Sequence, residues 1–133
     1  SCPQGEKGKV NKELIDFTDF LPTLCDVAGI NRPTTPETDG KSFYPQLYGK
    51  KTEARKWIYC WYAPRQVYDE KATVFARDRK YKLYRTGEFY DIENDFYEKS
   101  PITKPNMTGK QKKIFKALQT VINKYEDAAK KKK

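Results

Sequence analysis

Side chains suited to acid–base or metal chemistry are scarce in this chain. The 133 residues include no histidine, which removes the commonest general base, the commonest metal ligand and every Ser–His or Cys–His dyad. The three cysteines, Cys2, Cys25 and Cys60, are odd in number and far apart, so they predict neither a zinc site nor a disulfide framework. Cys25 and Cys60 lie in apolar segments, where we expect them to behave as small buried hydrophobic residues.

Four acidic residues in the second half of the chain have the oxygen ligands that a calcium ion would take. They are Asp78, Asp91, Asp95 and Glu98. Their spacing lacks the alternating pattern of a calcium-coordinating loop, whereas short acidic side chains are common in turns. We therefore expect these residues to cap turns, and we predict no catalytic, cofactor-binding or metal-binding residue in the chain.

The charge balance is strongly basic, with a formal net charge of +9 and a terminal run of lysines over 130–133. Such a balance suits a polyanion, which could be a nucleic acid, an acidic glycan or an anionic membrane face, although a terminal lysine run is also typical of a solvated tail. No apolar run approaches the ~20 residues needed to cross a bilayer, so no membrane partner is expected. The length is that of one domain over residues 1–133.

The apolar segment DFTDFLPTLCDVAGI over residues 16–30 predicts a short helix after a lead-in segment over 1–12. With Asp19 as N-cap, Pro22 falls at the third helical position, where its missing N–H is one that no helix pairs internally. Gly29 is a plausible stop. A second helical turn over 42–48 is expected to end at Gly49. The helix places large apolar residues on one stripe, which must dock on something: Phe17, Phe20, Leu21, Leu24 and Ala28, with Val27 beside them.

The middle of the chain changes from helical to strand-like periodicity. Residues 57–62 (WIYCWY) carry large side chains on both faces, which predicts a central strand covered on both sides. Further strands are predicted over 72–77, 81–85 and 88–92, the last two joined at Thr86-Gly87. The result is a four-stranded, mainly antiparallel sheet within the helix-plus-sheet region 13–107.

The closing segment, 108–133, predicts an amphipathic helix followed by the lysine tail. Thr108 is a suitable N-cap, and the helix is expected to lie across the sheet in a two-layer α+β fold with one or two short N-terminal helices. Its apolar positions recur at helical spacing: Ile114, Phe115, Leu118, Val121, Ile122 and Tyr125.

In the order and content of its motifs, the sequence resembles the C-terminal subdomain of sulfatases, which belong to the alkaline-phosphatase-like superfamily. The resemblance covers residues 8 to about 125 and is carried by KGKVNKELIDFTDFLPTLCDVAGI, TDGKSFYPQLYGK, WIYCWY and RDRKYKLYRTGEFYDIENDFYE. The last strand of the family is typically followed by an aspartate-rich turn, which Asp91, Asn94, Asp95 and Glu98 resemble. Phe96 stands where the family has a proline.

The resemblance implies a sulfuric ester hydrolase whose chemistry lies outside the resembled part. Sulfatases use a formylglycine, made in a C/S-x-P-x-R motif, and a divalent cation, usually calcium. Residues 1–5 (SCPQG) fit S-x-P-x superficially, but Gly5 stands in place of the arginine. We therefore expect a fragment that is inactive alone and whose partners are a catalytic domain and a sulfated carbohydrate or aryl substrate. Family members are commonly exported, periplasmic or extracellular, or lysosomal.

Such subdomains typically contribute a few residues to the substrate pocket, and the resemblance points to WYAPRQVY. The candidates are Trp61, Tyr62, Arg65 and Tyr68, since aromatic faces stack on sugars and arginine pairs with sulfate. The alternative is that the two aromatic residues belong to the core or an interface and that Arg65 is merely solvated.

Two further expectations remain open. The basic charge and the tyrosines on a sheet suit a free-standing module that binds nucleic acid or an acidic glycan. If the stripe of the first helix and the face of WIYCWY are uncovered, they form an apolar patch that predicts self-association.

Overall fold

The chain folds into two compact units, residues 1–55 and 56–133, in a computed structural model. The prediction of one domain over 1–133 stays a prediction. No helix among the described residues is long and apolar enough to cross a membrane. The structure describes residues 5, 7–8, 10–35, 38–51, 53–64 and 71–130.

The first unit contains two short helices. A 3-10 turn over Phe17–Asp19 leads directly into α1 (Phe20–Ala28), and α2 (Tyr44–Leu47) follows. Pro22 is the third residue of α1, as predicted, where the absent N–H leaves no helical hydrogen bond unmade. Gly29 ends α1 in the left-handed conformation at φ 66°, and its N–H donates to the carbonyl oxygens of Asp26 and Cys25.

Asp19 occupies the predicted N-cap position of α1, but its side chain makes no capping hydrogen bond. The cap at this end belongs to Asp16, whose Oδ1 accepts the Thr18 N–H at 3.1 Å and so begins the 3-10 turn. The Asp19 carboxylate accepts the Asp16 N–H in return at 2.8 Å, which completes a capping box around the 3-10 turn. The prediction of Asp19 as the N-cap residue of α1 is therefore confirmed.

The second unit is a four-stranded antiparallel sheet with one long helix, which confirms the predicted α+β class. The strands are β1 (Ile58–Tyr62), β2 (Thr73–Arg77), β3 (Tyr81–Tyr84) and β4 (Phe89–Asp91), in the order β1-β2-β3-β4. β3 and β4 form the predicted hairpin, where Gly87 adopts φ 105° and donates its N–H to the Tyr84 carbonyl at 3.0 Å.

The prediction that residues 57–62 form a central strand was wrong, because β1 lies at one edge of the described sheet. The run has large side chains at every position for a different reason. Trp57 and Tyr59 pack on the helix side, whereas Trp61 and Tyr62 remain exposed. An uninterrupted run of large residues does not by itself distinguish a central strand that is covered on both faces from an edge strand with exposed rings.

The helix α3 (Gly109–Lys130) packs across β2 and β3. The predicted N-cap is confirmed: Thr108 N–H donates to Gln111 Oε1 at 2.8 Å, and Gln111 N–H returns a bond to Thr108 Oγ1 at 3.3 Å. Full burial of an aliphatic side chain such as Ile122 contributes about 2 kcal/mol. The core between α3 and the sheet contains Val74, Ala76, Tyr81, Leu83, Phe89, Met107, Leu118, Val121 and Ile122.

Candidate functional site

Two large aromatic residues follow each other at the end of β1, and their side chains project from opposite faces of the sheet. Trp61 pairs with Val74 and Tyr62 with Thr73 in the register of β2, and both strands alternate their side chains between the faces of the sheet. Trp61 is 48% exposed and Tyr62 is 59% exposed. The alternative that these residues belong to the core of the chain is therefore wrong, and both rings are available to a ligand or to another domain.

Of the four predicted substrate-binding residues, only this pair can be placed. Arg65 and Tyr68 lie outside the described residues, so their roles stay predictions. The strand itself is firmly held, because the Tyr59 ring stacks on Tyr125 of α3 with centroids 4.3 Å apart, and Trp57 meets the same ring edge-on at 6.0 Å. A rigid strand thus presents Trp61 and Tyr62 at a defined position.

On the sheet face opposite α3, a lysine lies between two rings, an arrangement that sequence reasoning missed. Lys82 Nζ is 4.1 Å from the centroid of Phe75 and 4.5 Å from that of Tyr84, and it pairs with Glu98 Oε1 at 2.7 Å. Burial opposes the charge of Lys82, but hydrogen bonds to Glu98 and Tyr84 outweigh it, so the Lys82 pKa is raised. The only sequence signal was the alternation of YKLY, which places Lys82 and Tyr84 on one face.

Glu98 completes this cluster from the loop that follows β4. It is a non-glycine residue at positive φ, 54°, and its carboxylate accepts hydrogen bonds from both Lys82 and Tyr84. Burial raises the Tyr84 pKa, and the bond to Glu98 raises it further. Tyr84 therefore stays neutral and Lys82 charged at neutral pH, so the cluster holds the loop on the sheet rather than exchanging protons.

Three of the four acidic residues perform the predicted turn-capping role, whereas for Glu98 the prediction was wrong, because its carboxylate bonds Lys82 and Tyr84 instead. Asp78 Oδ1 accepts the N–H groups of Lys80 and Tyr81 at 2.8 and 2.6 Å. Asp95 accepts the N–H groups of Lys99 and Ser100 at 3.0 and 2.8 Å, while Asp91 caps Asn94. In the part of the chain that the structure describes, no group of three or more His, Cys, Asp or Glu side chains is arranged to hold a metal ion.

The first unit contains a buried ion pair between residues 36 positions apart. Arg55 Nε donates to Asp19 Oδ2 at 2.9 Å and Arg55 Nη2 donates to Asp19 Oδ1, with the side chains only 6% and 3% exposed. The Asp19 carboxylate also accepts the N–H groups of Asp16 and Lys41 at 2.8 and 2.7 Å. Burial opposes ionisation of Asp19, but these hydrogen bonds and the Arg55 charge outweigh it, so the Asp19 pKa is lowered.

Thr23 adds further hydrogen bonds next to the Asp19–Arg55 ion pair, one turn along α1. Its hydroxyl donates to the Asp19 carbonyl at 2.6 Å and accepts the Phe43 N–H at 3.0 Å, so one buried side chain ties α1 to the segment before α2. Cys25 is also buried, as predicted, whereas Cys60 is only partly buried. The inward side of α1 is therefore occupied by small and polar residues rather than by its large apolar ones.

The large apolar side chains of α1 and its 3-10 turn form an exposed face. Phe17 is 91% exposed and Leu24 is 62% exposed, and Phe20, Leu21 and Val27 have about half of their surface accessible. Ring contacts of Phe20 with Phe17 and Phe43, at 6.0 and 5.4 Å, hold the aromatic part of the face in place. We call these five residues the α1 apolar face. A contiguous exposed patch of this kind is typical of an interaction surface.

Comparison with known proteins identifies this arrangement. The model of the family "N-sulphoglucosamine sulphohydrolase, C-terminal" matches residues 2–127. The chain is 31% identical over 105 residues to an ulvan-active sulfatase of Formosa agariphila, a match that covers 77% of this chain and 19% of that protein.

Two solved structures share the fold. A 2-O GAG sulfatase matches with a TM-score of 0.68 and 27% identity, over 96% of this chain and 28% of its own. A protein solved in complex with its substrate D-glucosamine-2-N,6-O-disulfate matches with a TM-score of 0.63 and 28% identity, over 82% of this chain and 24% of its own.

The sheet, its closing helix and these relatives define a sulfatase C-terminal subdomain. More narrowly, the chain belongs to the family described as N-sulphoglucosamine sulphohydrolase, C-terminal. It spans about a fifth to just over a quarter of the length of the relatives it matches. The comparisons do not favour the alternative of a free-standing basic module.

Proposed function

We propose that this subdomain works with a catalytic domain to form a sulfatase that hydrolyses sulfate esters of a carbohydrate. The family match over residues 2–127 carries the proposal, and the relatives support it, since two of them are named as an ulvan-active sulfatase and a 2-O GAG sulfatase. In this proposal the formylglycine and the calcium ion belong to the catalytic domain. The described residues do not fit the cation, because no three of their acidic side chains are grouped to hold it, and Asp78, Asp95 and Glu98 are engaged in turns and an ion pair.

Within that enzyme, Trp61 and Tyr62 contribute to the substrate pocket from opposite faces of the sheet at the end of β1. The supporting observation is that both rings are exposed at the end of a strand that is anchored on Tyr125. Aromatic faces bind the apolar faces of sugar rings, so these residues orient the carbohydrate rather than react with it. Arg65 and Tyr68 follow in sequence, and we propose that the arginine pairs with a sulfate or carboxylate group of the substrate.

The test replaces Trp61 and Tyr62 by alanine in an enzyme that contains the catalytic domain. We expect the KM for a sulfated oligosaccharide to rise about tenfold per ring, which corresponds to roughly 1–1.5 kcal/mol of lost stacking. Turnover of a small aryl sulfate should change little, because so small a substrate does not extend to these rings.

A matched control is Phe96→Ala or Tyr97→Ala, since these rings are 79% and 77% exposed but lie in the loop after β4. If the Trp61 and Tyr62 variants behave like the loop variants towards both substrates, the proposed pocket role is wrong. A purified 133-residue chain that hydrolyses an aryl sulfate would contradict the assignment of the chemistry to the catalytic domain.

We also propose that the α1 apolar face packs against the catalytic domain. It exposes five large side chains, whereas the opposite face of the same helix, which includes Thr23 and Cys25, is buried within the first unit. Covering such side chains contributes roughly 25 cal/mol for each Å² of apolar surface removed from water. When nothing covers it, the same face favours self-association.

A further inference from the structure

A long stretch of the second unit contains positive charge only. From Lys99 to Tyr125 the sequence has seven lysines and no aspartate or glutamate, in a chain whose total net charge is +9. Four of these lysines fall within the first two turns of α3: Lys110, Lys112, Lys113 and Lys116. The charge is therefore concentrated on one element instead of being spread over the surface.

The helix directs these four lysines away from the core. All four are exposed, whereas Leu118, Val121 and Ile122 are buried against the sheet. At 100° per residue, Lys113 and Lys116 lie opposite the buried stripe and the other two flank them. The four Cα positions span about 9 Å along the helix axis, since each residue rises ~1.5 Å. We call these residues the α3 lysine face.

Folding does not account for the α3 lysine face. Lys110 with Lys113, Lys113 with Lys116, and Lys112 with Lys116 are like charges at i,i+3 or i,i+4, a spacing that destabilises a helix. They also crowd the N-terminal turns, where the helix dipole disfavours cations. Among the described residues, Lys80 and Lys82 have acidic partners in Glu93 and Glu98, but the four lysines of this face form no ion pair.

We propose that the α3 lysine face binds the anionic chain of a sulfated polysaccharide and so holds a polymeric substrate outside the reaction pocket. This inference rests on the proposed function for the choice of a sulfated carbohydrate. Lysine ammonium groups suit a succession of sulfate groups, because each is a compact, mobile charge that needs no fixed geometry. Binding of this kind is electrostatic and weakens as salt rises.

A nucleic acid is a poorer match to this face. Proteins that bind single strands combine basic grooves with aromatic rings on which the bases stack. The rings on α3, Phe115 and Tyr125, pack towards the core, where Phe115 meets Phe89 and Tyr125 meets Tyr59. The α3 lysine face is therefore a surface of charges without a stacking platform.

The test measures binding of the 133-residue chain to dextran sulfate over a range of salt concentrations, with neutral dextran as the reference polymer. The variant carries Lys110→Gln, Lys112→Gln, Lys113→Gln and Lys116→Gln. We expect it to bind about tenfold more weakly and with a shallower dependence of log affinity on log salt, because four charge contacts are lost. Circular dichroism checks that the variant retains α3. We expect that it does, since glutamine is a good helix former and the repulsion between the lysines is relieved.

The matched control removes four exposed lysines elsewhere, Lys12, Lys50, Lys51 and Lys71, so that the net charge changes equally. An equal loss of affinity in the control would show a general charge effect and would overturn the proposal. The proposal would also be overturned if removal of residues 130–133 lowered the affinity for dextran sulfate while the α3 variant kept its affinity. Binding of a single-stranded oligonucleotide more tightly than dextran sulfate at equal salt would overturn the choice of ligand.

The failures of the two proposals are distinguishable. Dextran sulfate binding needs no turnover, so it does not depend on whether Trp61 and Tyr62 line the pocket. Conversely, if Trp61→Ala raises the KM but the lysine variant binds dextran sulfate normally, the proposed function stands and only the inference about the α3 lysine face is wrong.

Discussion

Arg55 donates two hydrogen bonds to the carboxylate of Asp19, and the side chains of both residues are almost completely buried. Arg55 also donates to Thr18 Oγ1 and to the Asp39 carbonyl, each at 3.3 Å. The pair therefore joins the start of α1, the segment before α2 and the end of the first unit. Burial of two charges is favourable only when nearly all their hydrogen-bonding positions are filled, as they are here.

Removal of one partner should therefore destabilise the first unit strongly. We expect Asp19→Asn or Arg55→Gln to lower the free energy of unfolding by about 3–5 kcal/mol, because the remaining charge stays buried without its counterion. Urea unfolding followed by circular dichroism measures the effect. The surface pair Asp26–Arg32, with side chains 30% and 50% exposed, is the control, and Asp26→Asn should leave the transition midpoint nearly unchanged.

The double variant distinguishes a coupled pair from two independent side chains. If the ion pair is the source of the loss, the double variant Asp19→Asn with Arg55→Gln should be less destabilised than the sum of the single variants. Additive losses would contradict the interpretation.

The same pair predicts an acid-dependent loss of stability. The Asp19 pKa is lowered in the folded chain, so the carboxylate contributes stability that is fully present above the ordinary aspartate pKa of about 3.9. This contribution is lost as the pH falls from near 4 through the lowered pKa, because the unfolded chain then binds a proton more readily. Unfolding curves of the wild-type chain and of Asp19→Asn at decreasing pH should converge, and a constant difference would contradict the prediction.

Gly40 should not tolerate even one additional carbon. A Cβ at this position would lie 2.0 Å from the Thr18 carbonyl oxygen, a backbone atom that cannot move aside cheaply. We expect Gly40→Ala to lower the free energy of unfolding by about 1–3 kcal/mol. The control is Gly109→Ala at the first position of α3, which meets nothing within 4 Å and should be neutral or slightly stabilising because alanine favours the helix.

The α1 apolar face predicts self-association of the 133-residue chain. Leu24→Glu places a charge at the middle of this face, and we expect light scattering at high protein concentration to shift towards the monomer. Asn31→Glu introduces the same charge at an exposed position just beyond α1 and should leave the scattering unchanged. A wild-type chain that stays strictly monomeric at high concentration would exclude the self-association.

The sequence predicted most of the second unit because its signals are local and agree with one another. The apolar positions of α3 recur with helical spacing and are those that face the sheet. The four predicted strands end within one or two residues of the observed bounds. The Thr86-Gly87 pair marked the hairpin because Gly87 takes the positive φ that the turn requires.

Other features depended on residues that are distant in the sequence. Residues 50–56 look like a charged connector, and nothing in their spacing distinguishes Arg55, which is buried, from the lysines around it. Likewise, a pattern of large side chains cannot show that β1 is an edge strand, because edge position depends on which strands pair. The partnership of Lys82 with Glu98 required the loop after β4 to return to the sheet.

The amino-acid sequence alone determined the class of the chain, the order of its elements and the absence of histidine chemistry, because composition and periodicity are properties of neighbouring residues. Only the tertiary structure decided that Asp19 pairs with Arg55 and that the α1 apolar face points to solvent. It also decided that Trp61 and Tyr62 are exposed at a sheet edge. These three features arise from contacts between distant segments or from the lack of them, so a local pattern cannot specify them.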